Sequence, residues 1–187
     1  MDTTEYRQDK TTRTGRKVLI KCLVAMAVLA LVVLLAGAGT ASAAHSINTC
    51  ADDVTTSGLH TVDSNINDAG AASCIDINAS DVILEGNGNT IDGVDDDATS
   101  IGVYATASTT LNNVTVRNLT VQNWGQGVEY EGAVDGEISD VVATGNNDGV
   151  RLDDSSNGND VTANNLSGNN ARGISLRTSS NSNNLID

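Results

Sequence analysis

Two stretches of the chain carry nearly the same phrase, GNNDGVRL from Gly145 to Leu152 and GNNARGISL from Gly168 to Leu176. A looser copy, NWGQGVEY, runs from Asn123 to Tyr130. Each phrase follows a short apolar strand pattern, and matching positions recur at intervals of 22, 23 and 24 residues. A period of this length is typical of a solenoid, in which each repeat buries its apolar face only against its neighbours.

The strand pattern indicates which kind of solenoid this is. Apolar and polar residues alternate for only a few positions before Gly or Asn intervenes, as between Val114 and Val121. Several short strands per repeat, separated by left-handed bends, explain this pattern. We therefore predict an all-β, parallel β-helix with coils of about 22–25 residues. Inward Val116, Ile138 and Val161 should stack, and Asn side chains should form ladders at the bends.

Low apolar content favours a competing interpretation, disorder. Val, Ile, Leu and Phe make up 32 of the 144 residues from Ala44 onward, which is near the composition where chains stop folding. The strict periodicity of the apolar positions argues against disorder and favours the solenoid.

The first 43 residues have the pattern of an export signal. Basic residues from Arg13 to Lys21 precede an uncharged apolar run from Cys22 to Leu35, and Ala41-Ser42-Ala43 follows. The run is shorter than the roughly 20 residues that span a bilayer, and the small-x-small triplet predicts cleavage after Ala43. We expect a signal peptide at 1–43 and a secreted or cell-surface protein. The alternative is an uncleaved anchor over residues 18–36.

The net charge of the chain after the leader limits which partners it can bind. The 144 residues after the leader carry four arginines, no lysine and 21 acidic residues, a net charge of −17. Such a chain repels nucleic acid and anionic lipid. Dense acidic charge suits concentrated salt, where charges are screened within about 3 Å at 1 M. We therefore predict a halophilic protein with no nucleic-acid partner.

Two cysteines remain after the leader, Cys50 and Cys74. In an exported chain they should form a disulfide, which would stabilise the fold by about 3 kcal/mol. Zinc binding is the less favoured alternative, because the spacing does not match a zinc site. We predict an N-terminal cap at 44–73, followed by the β-helix at 74–187.

One stretch resembles a known group of proteins. The run DVILEGNGNTIDG from Asp81 to Gly93, followed by coils with an Asn-x-x-x-Gly-Val phrase, resembles right-handed parallel β-helix proteins of the pectin-lyase-like superfamily. Within it the chain is similar to NosD-type and archaeal surface β-helix proteins, over about residues 46 to 187. The resemblance implies the fold, but it covers lyases, glycoside hydrolases, copper-maturation factors and surface proteins alike.

Catalytic candidates are few. Asp153 and Asp154, with Arg151 beside them, resemble the acidic ligands and the basic residue of pectate lyases. On so acidic a chain, solvated surface carboxylates are the simpler interpretation. The general acid/base set of polygalacturonases is incomplete, because the chain has no Gly-His-Gly sequence and no lysine after the leader.

Metal sites have two candidate forms. Copper prefers Met, Cys and imidazole ligands, and the only histidines are His45 and His60. After cleavage, the new amino terminus and the His45 imidazole could chelate copper weakly, although an ordinary terminal residue is the simpler interpretation of His45. Calcium prefers carboxylate oxygens, for which Asp95, Asp96 and Asp97 are the candidates.

Three further features concern the surface of the protein: a single tryptophan, the C-terminal run and four glycosylation sequons. Trp124 could stack on a sugar ring if exposed, or cover the edge of the core. The C-terminal run NSNNLID begins another coil and stops partway, which suggests a fragment of a longer β-helix or a docking end. Four sequons predict N-glycosylation, at Asn78, Asn113, Asn118 and Asn165.

Three functional hypotheses follow from these features. The first is an exported, non-catalytic β-helix that presents an elongated face to carbohydrate or the cell envelope. The second is a polysaccharide lyase or glycoside hydrolase, or a degenerate fragment of one. The third is a NosD-like copper maturation factor.

Overall fold

The computed structural model describes residues 44–94 and 99–186, which form only β-strands and connecting turns. Residues 1–43, with the predicted leader, the Ala43 cleavage site and the alternative anchor, lie outside the described residues. In the described part, no helix has the length and apolar character needed to span a membrane. The strands are β1 His45–Ile47, β2 Gly58–Val62, β3 Ile66–Ala69, β4 Ser73–Ile77, β5 Val82–Glu85, β6 Thr90–Gly93, β7 Ile101–Asn112, β8 Val114–Gln122, β9 Gln126–Val134, β10 Glu137–Thr144, β11 Asp148–Asp153, β12 Asp160–Thr162, β13 Arg172–Leu176 and β14 Asn184–Ile186.

The strands pair in parallel within two sheets. The first sheet has the order β1-β2-β5-β8-β10-β12-β14. In the same sheet, β6 pairs with β8, and β3 pairs with β6. The second sheet has the order β13-β11-β9-β7-β4. Sequence neighbours mostly lie on different faces, so each sheet is built by stacking one coil on the next. The chain is an all-β solenoid of about five turns, and the predicted fold class is confirmed.

Left-handed residues turn the chain within each coil. Asn118 divides β8, whose first half pairs with β5 and whose second half pairs with β6. Its φ is 53°, and Asp140, at the same place in the next coil, has a φ of 52°. Asn and Asp tolerate this conformation better than other non-glycine residues, which explains why they recur at the bends.

A column of inward side chains runs along the first sheet. Val116, Ile138 and Val161 are each at most 2% exposed and stack on successive coils, as predicted. Toward the N-terminal end the column continues through Leu84 and then through two histidines. This aliphatic column therefore ends in two imidazole rings at the N-terminal end of the sheet.

The predicted asparagine ladder is present at a bend. Asn146 is fully buried, and its Oδ1 accepts a hydrogen bond from the Trp124 backbone N–H at 3.0 Å. Its Nδ2 donates to the Val121 carbonyl at 3.0 Å. In the next coil, the Oδ1 of Asn169 accepts from the Asn146 backbone N–H, also at 3.0 Å. Each amide thus satisfies backbone groups that the turn would leave without partners.

The glycine in each repeated phrase has a different role from the bend residues. Gly102, Gly127, Gly149 and Gly173 lie opposite one another on successive coils of the second sheet. A Cβ on Gly127 would lie 2.6 Å from the Gly149 carbonyl oxygen, and one on Gly149 would lie 2.7 Å from that of Gly173. Close approach of the coils, rather than left-handed backbone, therefore requires glycine at these positions.

The N-terminal region is joined to the rest by a disulfide. Cys50 and Cys74 are bonded, as predicted, across a separation of 24 residues. The segment predicted as a cap, 44–73, contributes β1, β2 and β3, which continue the first sheet. Its strands therefore stack on those of the first complete coil.

Trp124 belongs to the core rather than to the surface. It is 1% exposed, and its indole Nε1 donates to the Ile91 carbonyl at 3.3 Å. The side chain covers the core at the bend and is not available for stacking on a sugar.

Candidate functional site

The only two histidines of the sequence meet at the N-terminal end of the solenoid. His45 in β1 lies directly opposite His60 in β2. Their Nδ1 atoms are 3.3 Å apart, and their ring planes are nearly perpendicular, at 88°. His60 is 2% exposed, whereas His45 is exposed to solvent. The pair therefore joins a buried imidazole to an accessible one.

A hydrogen bond determines which nitrogen of His60 carries the proton. The Nε2 atom lies 2.8 Å from the carbonyl oxygen of Thr56. A carbonyl oxygen only accepts, so Nε2 is the donor, and in the neutral ring Nδ1 carries the lone pair. This arrangement is common for metal-binding histidines, whose second nitrogen donates to a carbonyl or carboxylate. The lone pair of His60 points toward His45.

A cavity of about 350 Å³ lies beside the pair, and it is lined by both histidines, by four polar residues between 53 and 57 and by Leu59. The nearby Asp52 carboxylate accepts the backbone N–H groups of Asn48 and Thr49. The Asn48 bond is the largest cause that lowers the pKa of Asp52, and the charge of His45 contributes in the same direction. Among the described residues, no group of three or more His, Cys, Asp or Glu converges to hold a metal.

The donor set can be compared with what copper requires. Both cysteines outside the leader are bonded to each other, so they offer no thiolate, and neither methionine lies after residue 26. Imidazole suits copper. Metal–imidazole bonds are about 2.0–2.1 Å long, so one ion can reach two nitrogens that are 3.3 Å apart. The histidine pair fits copper as two of its ligands.

A second polar cluster lies on the outward side of the second sheet. Of the four arginines in the described ranges, Arg151, Arg172 and Arg177 are here. Arg151 Nη2 lies 2.6 Å from Asp153 Oδ2, and Arg172 Nη1 lies 3.2 Å from Asp148 Oδ1. We call these five residues, together with Glu129, the arginine cluster. Its three arginines balance its three carboxylates.

Burial and the neighbouring charges and hydrogen bonds shift the pKa values of the arginine cluster in opposite directions. Burial raises the pKa of Glu129, and the charge of Arg151, whose Nε lies 3.4 Å from Glu129 Oε1, offsets only part of that effect. Burial lowers the pKa of Arg151, but the hydrogen bond to Asp153 and the charges of Glu129 and Asp153 outweigh it and raise the pKa. Burial raises the pKa of Asp153, but hydrogen bonds from Thr178 and Arg151 outweigh it and lower the pKa.

Asp148 is the least satisfied member of the cluster. It is fully buried, and its Oδ2 accepts no hydrogen bond within the described part of the chain. The Arg177 Nη2 lies 3.6 Å from that oxygen, close enough for an ion pair but too far for a hydrogen bond. Buried carboxylate oxygens usually have a partner, so this atom can still accept one.

The structure brings together two of the three predicted catalytic candidates. Arg151 bonds Asp153, whereas Asp154 is exposed at the turn, where its backbone N–H donates to Asp153 Oδ1 at 2.9 Å. An arginine can abstract a proton only after it has lost its own, and the raised pKa of Arg151 opposes that loss. The pairing is suited to holding charge in place, and catalysis at these residues stays a prediction.

The structure describes the predicted glycosylation sites but not the predicted calcium site. The calcium candidates Asp95, Asp96 and Asp97 lie outside the described residues. All four sequon asparagines are exposed; they are Asn78, Asn113, Asn118 and Asn165.

Sequence reasoning missed the contact between the two histidines. They are 15 residues apart, which is shorter than the coil period, so repeat spacing does not align them. Glu129 and Asp148 were also missed, because each resembles any other surface carboxylate in the sequence. The one sequence feature that could have singled out Asp148 is its position beside the repeated glycine.

The fold and these two sites define a class: a parallel β-solenoid with a histidine pair at one end and a charge-balanced cluster on an outward face. The family described as "Periplasmic copper-binding protein (NosD)" matches residues 45–187. The match covers well over half of the chain, which therefore belongs to the NosD family, as the predicted resemblance implied. No curated protein and no solved structure matches the chain.

Proposed function

We propose that this NosD-family protein is exported and binds copper through the imidazoles of His45 and His60. The observation that carries the proposal is the convergence of the only two histidines, with Nδ1 atoms 3.3 Å apart. The Thr56 carbonyl leaves the lone pair of neutral His60 on Nδ1. For a given set of nitrogen ligands, Cu²⁺ binds more tightly than the other divalent first-row metals. The family description, "Periplasmic copper-binding protein", supports both the metal and the location.

Cleavage after Ala43 would add a further ligand. The new amino terminus would belong to Ala44, next to His45 in sequence, and an amine is a nitrogen donor like imidazole. Bound copper would supply a redox-active ion at the exposed end of the solenoid, while the protein would hold and orient it. The proposal therefore includes three nitrogen groups contributed by Ala44, His45 and His60.

Calorimetric titration with Cu²⁺ tests the proposal on untagged protein beginning at Ala44. We expect one ion per chain, and nitrogen hyperfine coupling in the electron paramagnetic resonance spectrum. His45→Gln and His60→Leu should each weaken binding at least about tenfold, since changing even an outer-shell partner of a metal ligand costs about that much. Leucine fills the column next to Leu84, so the His60 variant should keep its fold.

Two controls make the result specific. Asp153→Asn, in the arginine cluster, should leave copper affinity unchanged. Acetylation of the Ala44 amine should weaken binding if the amine is a ligand. Copper binding of equal strength in the double variant His45→Gln/His60→Leu would refute the proposal.

A second candidate function rests on the outward face of the second sheet. Between the inward residues, one side chain per coil forms a row across five coils, consisting of Asp76, Tyr104, Glu129, Arg151 and Ser175. Its members are about 4.8 Å apart, the spacing of neighbouring strands. A regular row of polar and aromatic groups suits an extended carbohydrate of the cell envelope, bound without catalysis.

Binding to isolated envelope polysaccharide, measured by sedimentation with the full chain, tests this second function. Tyr104→Ala should reduce binding several-fold, whereas His45→Gln should not change it. Release of shortened sugar products would instead support a lyase or hydrolase. If the polysaccharide does not sediment with the protein, the carbohydrate-binding function is wrong.

A further inference from the structure

The four sequons differ in whether the side-chain amide is committed to another residue. Asn113 Nδ2 donates to Asp81 Oδ1 at 3.0 Å, and Asn118 Nδ2 donates to Glu85 Oε1 at 2.8 Å. Both sequons also run into β8, which has a paired strand on each side. Neither amide can leave its position without breaking contacts between coils.

The sequon at Asn78 is constrained through its serine. The hydroxyl oxygen of Ser80 accepts the backbone N–H of Asn112, from the next coil, at 3.0 Å. The backbone N–H of Asn78 donates to the Val54 carbonyl at 2.8 Å. The asparagine is exposed, but the hydroxyl of its sequon is held by a neighbouring coil.

The sequon Asn165-Leu166-Ser167 differs in its side-chain contacts, although the backbone of Asn165, like that of Asn78, is bonded to a neighbouring coil. It lies between β12 and β13, in the last coils of the solenoid. The Ser167 hydroxyl donates to Asn165 Oδ1 at 2.7 Å, and the Ser167 backbone N–H reaches the same oxygen at 3.2 Å. Asn165 is exposed, and across the described ranges its Nδ2 donates no hydrogen bond. Within the described residues the amide nitrogen is therefore uncommitted, while its own sequon holds the carbonyl oxygen.

We propose that Asn165 is the N-glycosylation acceptor of the folded protein, and that Asn113 and Asn118 are not modified in this state. The reaction joins Asn165 Nδ2 to the anomeric carbon of a glycan, and the amide loses one proton. The bond between that carbon and the pyrophosphate of a lipid-linked oligosaccharide breaks, so the lipid pyrophosphate leaves with the electron pair. The lipid-linked donor is the only co-reactant, and no oxidation or reduction occurs.

A transfer assay on the folded, full chain tests this assignment. The protein is incubated with a purified oligosaccharyltransferase and a lipid pyrophosphate-linked oligosaccharide, and occupancy of each sequon is measured by glycopeptide mass spectrometry. We expect occupancy at Asn165 at least about fivefold above that at Asn113 or Asn118. Asn165→Gln should abolish most of the transfer, whereas Ser167→Thr, which keeps the hydroxyl, should retain it.

Short synthetic peptides that span each sequon separate the effect of the fold from that of the local sequence. In peptides, the Asn113 and Asn118 sequons should accept glycan, because no neighbouring coil holds their amides. The proposal is overturned if the folded chain is unmodified at Asn165, or if Asn118 is modified to the same extent. Neither result depends on copper binding, so the assay is independent of the function proposed above.

Discussion

The carbonyl oxygen of Gly149 lies 2.6 Å from the point where a Cβ atom on Gly127 would stand. The two glycines face each other on neighbouring coils, and the same contact recurs from Gly102 to Gly173. The repeated glycine of the sequence phrase is therefore a requirement for coil stacking.

Gly127→Ala should destabilise the protein by about 3 kcal/mol, because overpacking a tight interior forces the backbone to shift. Chemical denaturation followed by circular dichroism measures the change. Gly70→Ala is the matched control, since the nearest atom to its Cβ would be 4.0 Å away. The control should alter stability by less than about 0.5 kcal/mol. Equal effects of the two substitutions would contradict the stacking requirement.

Asn146→Ala should cost about 2–4 kcal/mol, because it leaves the Trp124 N–H and the Val121 carbonyl buried without their partner. Differential scanning calorimetry should show a lower melting temperature. The adjacent Asn147, which is partly exposed, provides the comparison, and Asn147→Ala should be close to neutral. A neutral Asn146→Ala would mean that water can replace the ladder.

Replacing the disulfide by Cys50→Ser and Cys74→Ala should reduce stability by about 3 kcal/mol, the value expected for a loop of this length. Because each coil of a solenoid contacts mainly its neighbours, we expect the N-terminal coils to exchange their amide hydrogens first. Hydrogen exchange with mass spectrometry would show this. Uniform loss of protection along the chain would argue against a local effect.

Glu85 should contribute to stability in a pH-dependent way. Burial raises its pKa, but hydrogen bonds from Asn118, the Asn87 backbone and Arg117 outweigh that effect, and the pKa is lowered. A lowered folded-state pKa gives stability that is present above the unfolded value, near 4.5, and is lost as the pH falls through the folded value. Glu85→Gln should therefore be less stable than the native chain at pH 7, by at most about 1 kcal/mol for so exposed a pair.

The pH profile itself is the check on Glu85. The unfolding free energies of the native chain and of Glu85→Gln should converge as the pH falls below the folded-state pKa. A difference that stays constant from pH 7 to pH 2 would mean that the charge of Glu85 has no role.

Salt should stabilise the protein if the predicted halophily is correct. Residues 44–187 carry a net charge of −17, and self-repulsion is screened as ionic strength rises. We expect the melting temperature to rise steadily from low to multimolar potassium chloride. A melting temperature independent of salt would refute this prediction.

Features that repeat along the chain were predictable. The column of Val116, Ile138 and Val161 follows from the period, because identical coils place matching residues on top of one another. The disulfide followed from there being only two cysteines after the leader. The left-handed bends followed from the local preferences of Asn, Asp and Gly.

Features that depend on contacts between unlike segments were not predictable. Trp124 could have been exposed or buried until its indole was seen to bond the Ile91 carbonyl. Likewise, the exposed asparagines of four similar sequons gave no indication that carboxylates from another coil hold the amides of Asn113 and Asn118.

The sequence by itself determined that this protein is a parallel β-solenoid, because the period and the alternation of apolar residues are local properties of each repeat. Only the tertiary structure decided that His45 meets His60, that Asp148 is buried among arginines, and that carboxylates of a neighbouring coil hold the amides of Asn113 and Asn118. Each of these depends on the register between coils, and register is set by packing over the whole stack rather than by any single segment.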